Sequence, residues 1–360
     1  MRILGFLWRR ITSVAITLLF LLLLLALYVG ANLLRGVQQD DSERLDGKRE
    51  YLAEIATQAK PDTAMPNIVL VLYDDLGYGD IGPGSQDNLL DTPHIDALAA
   101  GGVSLTDFHS PAPVCTPSRA GILTGRLPLR AGLPHVVFPT DSPIDLLSRG
   151  LLAPGMHTRL PAEEITLAEV LGAAGYDTGM VGKWHLGDRS PSLPNDMGFT
   201  DYYGALYSND MTPFALYRDR DIAVEAPVDQ DYLTEHYTRE AVGFIERERD
   251  APFFLYFAHN FPHDPLHVRD ERSGTSRAGL YGDVLAEIDD GIGDIVAALQ
   301  RTGQYDTTLV MITSDNGPWF LGDAGDQRGA KGSTFEGGMR VPFIAHWPAG
   351  IPGGRVADAM

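Results

Sequence analysis

Ile68-Val69-Leu70-Val71-Leu72-Tyr73 runs apolar from end to end, with none of the alternation of a strand that has one wet face. Such a run reads as a parallel strand buried on both sides, and that commits the chain to layers of helix above and below a sheet. The rest of the sequence supplies those layers. Thr92-Pro93 opens a helix with proline at its first position and Ile95, Leu98 and Ala99 behind it. Thr166-Leu167-Ala168-Glu169 has capping-box spacing for a short helix ending near Gly175, and Asp177 to Val181 follows as a strand. A charged helix through Glu240, Phe244, Ile245 and Glu248 precedes a second buried strand over Pro252–Ala258. Leu280, Val284, Ile288, Ile292, Ile295 and Leu299 then recur at three- and four-residue spacing, ahead of a strand over Thr308–Thr313. The expected fold is α/β, a mostly parallel central sheet with helices on both faces.

Residues 1–10 form a short basic N-terminus carrying Arg2, Arg9 and Arg10, and residues 11–34 contain no charge. As a helix this run is about 36 Å long, against about 30 Å of hydrocarbon. It reads as a transmembrane helix, a signal-anchor with Met1 cytoplasmic and the remainder on the extracytoplasmic side, periplasm or cell exterior. A cleaved signal peptide, with Val29-Gly30-Ala31 as the site, would give a secreted protein instead. Residues 35–66 are polar and read as a juxtamembrane spacer, leaving 67–360 as the main folded domain. The 28 basic against 48 acidic residues give a net charge of −20, which argues against nucleic acid as a partner. An anionic ligand would need a local basic pocket.

The polar residues that could build one fall just after strands: Asp74 and Asp75, Lys183 and His185, His263, Asp315 and Asn316. Open α/β sheets bind ligands beyond the carboxyl ends of their strands, so these segments are expected to converge. Three carboxylates plus an amide oxygen are hard ligands that suit calcium or magnesium and not zinc. Taken alone, each segment also reads as an ordinary turn or surface loop.

Cys115 is the sole cysteine in 360 residues. By itself it would be a small buried hydrophobe. Its surroundings are more specific: Ser118 onward reads as a helix start, which places the sulfur near a positive helix end. Cys115-Thr116-Pro117-Ser118-Arg119, continuing through Gly121-Ile122-Leu123-Thr124-Gly125-Arg126, resembles the signature of the type I sulfatases. That resemblance, which runs from about Asn67 to Pro348, implies an alkaline-phosphatase-like α/β fold and conversion of Cys115 to formylglycine by a formylglycine-generating enzyme. It also implies a divalent cation, calcium ahead of magnesium, held by Asp74, Asp75, Asp315, Asn316 and the converted Cys115. Arg119 and His185 would position the formylglycine hydroxyls, Lys183 and Lys331 would clamp sulfate, and His263 would protonate the leaving oxygen. Ser208 would be a further substrate contact. The substrate implied is a sulfated small molecule or glycan. Other readings are a phosphonate or phosphate ester hydrolase of the same superfamily, or a sulfated-glycan-binding protein whose Cys115 stays a thiol. His135, His157, His259 and His267 match no motif. Members of the family commonly continue into a smaller C-terminal domain, which is expected to be missing here.

Overall fold

The strand over 67–73 sits near the centre of a ten-stranded sheet in the computed structural model, which describes residues 2–35, 40–58, 65–85, 89–151 and 156–358. The strands are β1 (Asn67–Tyr73), β2 (Val103–Leu105), β3 (Asp177–Gly182), β4 (Asp201–Gly204), β5 (Leu216–Arg218), β6 (Asp221–Val224), β7 (Phe253–Ala258), β8 (Thr308–Ser314), β9 (Phe343–His346) and β10 (Arg355–Ala357). The helices are α1 (Arg2–Arg35), α2 (Ser42–Gln58), α3 (Pro93–Gly101), α4 (Cys115–Thr124), α5 (Pro143–Leu151), α6 (Leu167–Ala173), α7 (Leu233–Ile245), α8 (Gly279–Arg301) and α9 (Glu336–Met339). In space the strand order is β10-β2-β9-β8-β1-β7-β3-β4-β5-β6. The central five, β8-β1-β7-β3-β4, are all parallel, while β9 and β5 join them antiparallel.

The pleat of β1 shows why its sequence does not alternate. Val69, Val71 and Tyr73 enter a core with Leu98 of α3, Phe244 of α7 and Ile288 of α8. Leu70 and Leu72 enter a separate core with Leu123 of α4, Ala168 of α6 and Trp184. Each fully buried aliphatic side chain contributes about 1.5–3 kcal/mol, so a polar residue on either face of β1 would be costly. The α8 stripe behaves as its spacing requires, with Val284, Ile288, Ile292, Ile295 and Leu299 buried; Leu280 is the exception, exposed in the first turn. The capping box forms: Thr166 Oγ1 accepts from the Glu169 N–H at 3.2 Å, and the Glu169 carboxylate accepts from the Thr166 N–H at 2.9 Å.

Two local readings shift. The helix expected from Ser118 begins three residues earlier, at Cys115, because Pro117 falls in the first turn where its missing N–H costs nothing. The helix before β7 ends at Ile245, short of Glu248. The polar stretch read as a spacer contains α2. Lys48 Nζ, buried on it, donates to Ala162 O at 2.8 Å and Glu164 O at 2.7 Å and pairs with Glu169 at 2.6 Å. Those partners lie more than a hundred residues away in sequence, so nothing local announces the contact. Residues 36–39 and 59–64 of the same stretch lie outside the described residues, as does Met1. Within α1, Trp8–Asn32 is apolar and long enough to cross a membrane.

Candidate active site

The carboxyl ends of β1, β3, β7 and β8 face one crevice, and α4 points its first turn into it. Asp74 and Asp75 follow β1 directly; Asp315 and Asn316 follow β8, whose Ser314 pairs with Tyr73 in the ladder. Ligand oxygens of Asp74, Asp75 and Asp315 lie with Cys115 Sγ within 4.8 Å of one another, all buried. Asp75 adopts a left-handed backbone, φ 71°, rare for a residue with a Cβ, and Asp315 Oδ1 accepts its N–H at 3.3 Å. Ser314 ties the two loops together: its hydroxyl accepts from the Leu76 N–H and donates to Asn316 O, each at 2.9 Å.

Cys115, in the first turn of α4, places Sγ 3.2 Å from Asp74 Oδ1. One turn on, Arg119 is wholly buried and spans the site, Nε to Asp315 Oδ2 at 2.9 Å and Nη1 to Lys183 O at 2.7 Å. Lys183 Nζ contacts Asp74 Oδ2 and donates to Ser208 Oγ at 3.1 Å. Gly182 turns the chain off β3 at φ +113°, where a Cβ would sit 1.9 Å from Ala258 O, so the sheet passes too close there for any side chain. His185, at φ 62°, hydrogen-bonds Val137 O through Nε2 at 3.1 Å and leaves Nδ1 buried without a partner. That carbonyl had no side-chain signal in the sequence. His263 bonds Asp264 O through Nδ1 at 2.5 Å, and its Nε2 lies 3.4 Å from Ser208 Oγ and 3.8 Å from Asp75. Lys331 reaches in from the loop before α9, with Nζ 2.7 and 2.8 Å from the two Asp75 oxygens. All the residues singled out from sequence therefore meet in one place. His259 lies beside it, enclosed by the rings of Tyr237, Phe257 and Phe261.

Electrostatics divide the groups. Burial favours a neutral Asp74, but Lys183, His263, Arg119 and Lys331 outweigh it and hold the carboxyl well below the usual range. Burial and the Asp74 charge push Asp315 up, against Arg119 and Lys183. Burial, with Lys183 and Arg119 nearby, keeps His185 neutral, so its free Nδ1 is an acceptor. Burial and Asp74 push the Cys115 thiol well above its ordinary value, so the sulfur is a poor thiolate nucleophile. A hard divalent cation fits this donor set: three buried carboxylates converge, and Asn316 Oδ1 is buried with no hydrogen-bond partner while its Nδ2 bonds Asp75 at 2.7 Å.

Comparison with known proteins agrees with this architecture. The sulfatase family model matches residues 66–359. N-acetylgalactosamine-6-sulfatase of Mus musculus is 39% identical over 320 residues, covering 82% of this chain and 60% of that protein. Arylsulfatase A of Homo sapiens is 37% identical over 327 residues, covering 80% and 60%. The crystal structure of Ps i-CgsB in complex with k-i-k-neocarrahexaose superposes with a TM-score of 0.71 at 32% identity, covering 81% of this chain and 68% of that one. The chain thus spans about 60% of the length of the curated relatives it matches. With the family model matched across the whole sheet and the cysteine, lysine and aspartate segments gathered in its crevice, the chain belongs to the sulfatase family.

Proposed function

We propose that the chain hydrolyses a sulfate ester to an alcohol and inorganic sulfate, outside the cytoplasm, with α1 as its membrane anchor. One observation carries this reading: two lysines, an arginine and two histidines converge around a buried cysteine beside a cluster of hard oxygen ligands. Converted to formylglycine and hydrated, position 115 would offer two hydroxyls on one carbon, the first to attack sulfur and the second to expel sulfate. A calcium ion on Asp74, Asp75, Asp315, Asn316 and position 115 would polarise the nucleophile and neutralise substrate oxygens.

The chain's other residues do the rest. Lys183 and Lys331 bind the sulfate oxygens as fixed charges, assisted by Ser208. Arg119 holds Asp315 and so fixes the first turn of α4 against the carboxylates. His185, neutral and anchored through Nε2, accepts a hydrogen bond at Nδ1 from a hydroxyl on residue 115. His263 gives a proton from Nε2 to the departing alcohol oxygen, the step suited to imidazole near neutral pH. A sulfated carbohydrate is the favoured substrate class, supported by the name of the N-acetylgalactosamine-6-sulfatase and the neocarrahexaose held by Ps i-CgsB. The test is a turnover screen of sulfated sugars, aryl sulfates and the matching phosphate and phosphonate esters, on protein whose residue-115 peptide has been weighed. Full activity with an intact thiol would overturn the formylglycine mechanism, and preference for phosphorus esters would overturn the sulfatase assignment. Binding of sulfated sugars without turnover, by protein whose Cys115 stays a thiol even when made with a competent converting enzyme, would leave a binding protein.

A further inference from the structure

Helix α5 is turned inside out. Its charged residues face the protein: buried Asp145 accepts the Asp141 N–H at 2.8 Å and pairs with Arg149, which also reaches Asp141 Oδ1 at 2.8 Å. Gly150 is buried as well. Its apolar residues face out: Ile144, Leu147 and Leu151, spaced three and four apart on one stripe, are 50%, 63% and 55% exposed, with Leu146 beside them at 44%. A helix on a water-facing surface shows the opposite arrangement, apolar stripe inward.

The position of α5 says what covers that stripe. It packs on α1 near that helix's outer end: Asn32 Nδ2 donates to Gly150 O at 3.1 Å, and a Cβ on Gly150 would lie 2.9 Å from Val29 Cγ1. The hydrocarbon layer, about 30 Å thick, takes about twenty residues of helix, and counted from Ile11, just past Arg9 and Arg10, it ends at Gly30. Val29 and Asn32 flank that outer boundary, and α5 lies against them. In-plane helices bury an apolar face about 5–10 Å into that layer.

We propose that the Ile144–Leu147–Leu151 face of α5 lies in the outer interfacial layer of the bilayer that α1 spans, a second contact that holds the catalytic domain down on the lipid surface. This rests on α1 being a membrane span. The contact brings the crevice close to the membrane: Val137, whose carbonyl holds His185, is six residues before Pro143, at most about 21 Å of extended chain.

The test uses the full chain in phosphatidylcholine vesicles. Leu147→Cys, Leu22→Cys on α1 and Leu280→Cys on α8 each supply an exposed thiol for an environment-sensitive fluorophore, while Cys115 is buried. Vesicles containing lipids with a nitroxide near the headgroup or deep in the acyl chain serve as quenchers. The expected result is loss of fluorescence at 147 with the shallow nitroxide, loss at 22 with the deep one, and no loss at 280. Quenching at 22 with none at 147 would overturn the proposal and leave the span standing. A fluorophore at 147 that is shielded from water but not quenched would overturn it in favour of a protein partner. Absence of quenching at both 22 and 147 would overturn the span, and the proposal with it.

Discussion

Lys331→Met is expected to remove a sulfate clamp with less disturbance to the fold than a Lys183 variant would cause. The alternative, Lys183, is wholly buried against Asp74, and removing one partner of such a pair costs about 3–5 kcal/mol. That is a large part of the 5–15 kcal/mol that keeps a domain folded, so a Lys183 variant would confound binding with stability. Lys331 stands at the mouth of the crevice with 13% of its side chain exposed. Burial works against its charge, but the surrounding acidic cluster prevails and holds the ammonium above its ordinary range, so it is fully charged at neutral pH. Methionine keeps the length of the stem and deletes only the charge. A hydrogen bond to a charged group is worth about 1.5–3 kcal/mol, which at 1.36 kcal/mol per decade is roughly a 10- to 150-fold loss of kcat/KM. The sulfate oxygens carry their charge before and during the reaction, so the loss belongs mainly to KM. Steady-state kinetics on an aryl sulfate, with thermal denaturation as the control for folding, measure it. A kcat/KM within about threefold of the parent, less than about 0.7 kcal/mol, would refute the clamp. A fall confined to kcat would reassign Lys331 to the leaving group.

Asp315→Ala is expected to lose the cation and activity together, read by elemental analysis beside turnover; zinc in the native site would contradict the oxygen-ligand reading. Cys115→Ser offers one hydroxyl where two are needed, so product should appear as a burst of at most about one equivalent and then stop, while Cys115→Ala shows no burst and steady near-native turnover by the serine variant would refute the mechanism. His259 is buried and neutral, its pKa lowered to about 3 by burial. Only the unfolded state takes up its proton readily, so the stability it contributes is complete above the ordinary value of about 6.5 and drains away as pH falls toward 3. Denaturant midpoints across that range should fall less steeply in His259→Gln than in the parent.

The central sheet was legible because β1, β7 and β8 are apolar throughout and each runs into polar residues at its carboxyl end, so strand identity and site position come from the same few letters. The site was legible for a related reason: its lysines, histidines and aspartates carry their chemistry in side chains. What stayed hidden works through backbone or distance. Val137 contributes a carbonyl that any residue possesses. Ser314 joins two loops that only the β1–β8 pairing brings together. Lys48 on α2 binds groups beyond residue 160, and a lysine in a polar run predicts solvent, not burial. The short outer strands β5, β6 and β10 have three or four residues each and no periodicity to read.

The burial of Cys115 sets a clock. Its sulfur lies under the first turn of α4 against Asp74, closed off from any second enzyme once the domain is complete. If position 115 is to become an aldehyde, the conversion has to come while the segment is still slack. The topology provides that interval: β1 is flanked by β7 and β8, so the floor of the crevice cannot close until residue 314 has been made, 199 residues after the cysteine. At about 5–20 residues per second, synthesis alone leaves the motif open for roughly 10–40 s. Sequence order thus works as a timer, in which the late arrival of one central strand keeps position 115 accessible while the chain is still being made.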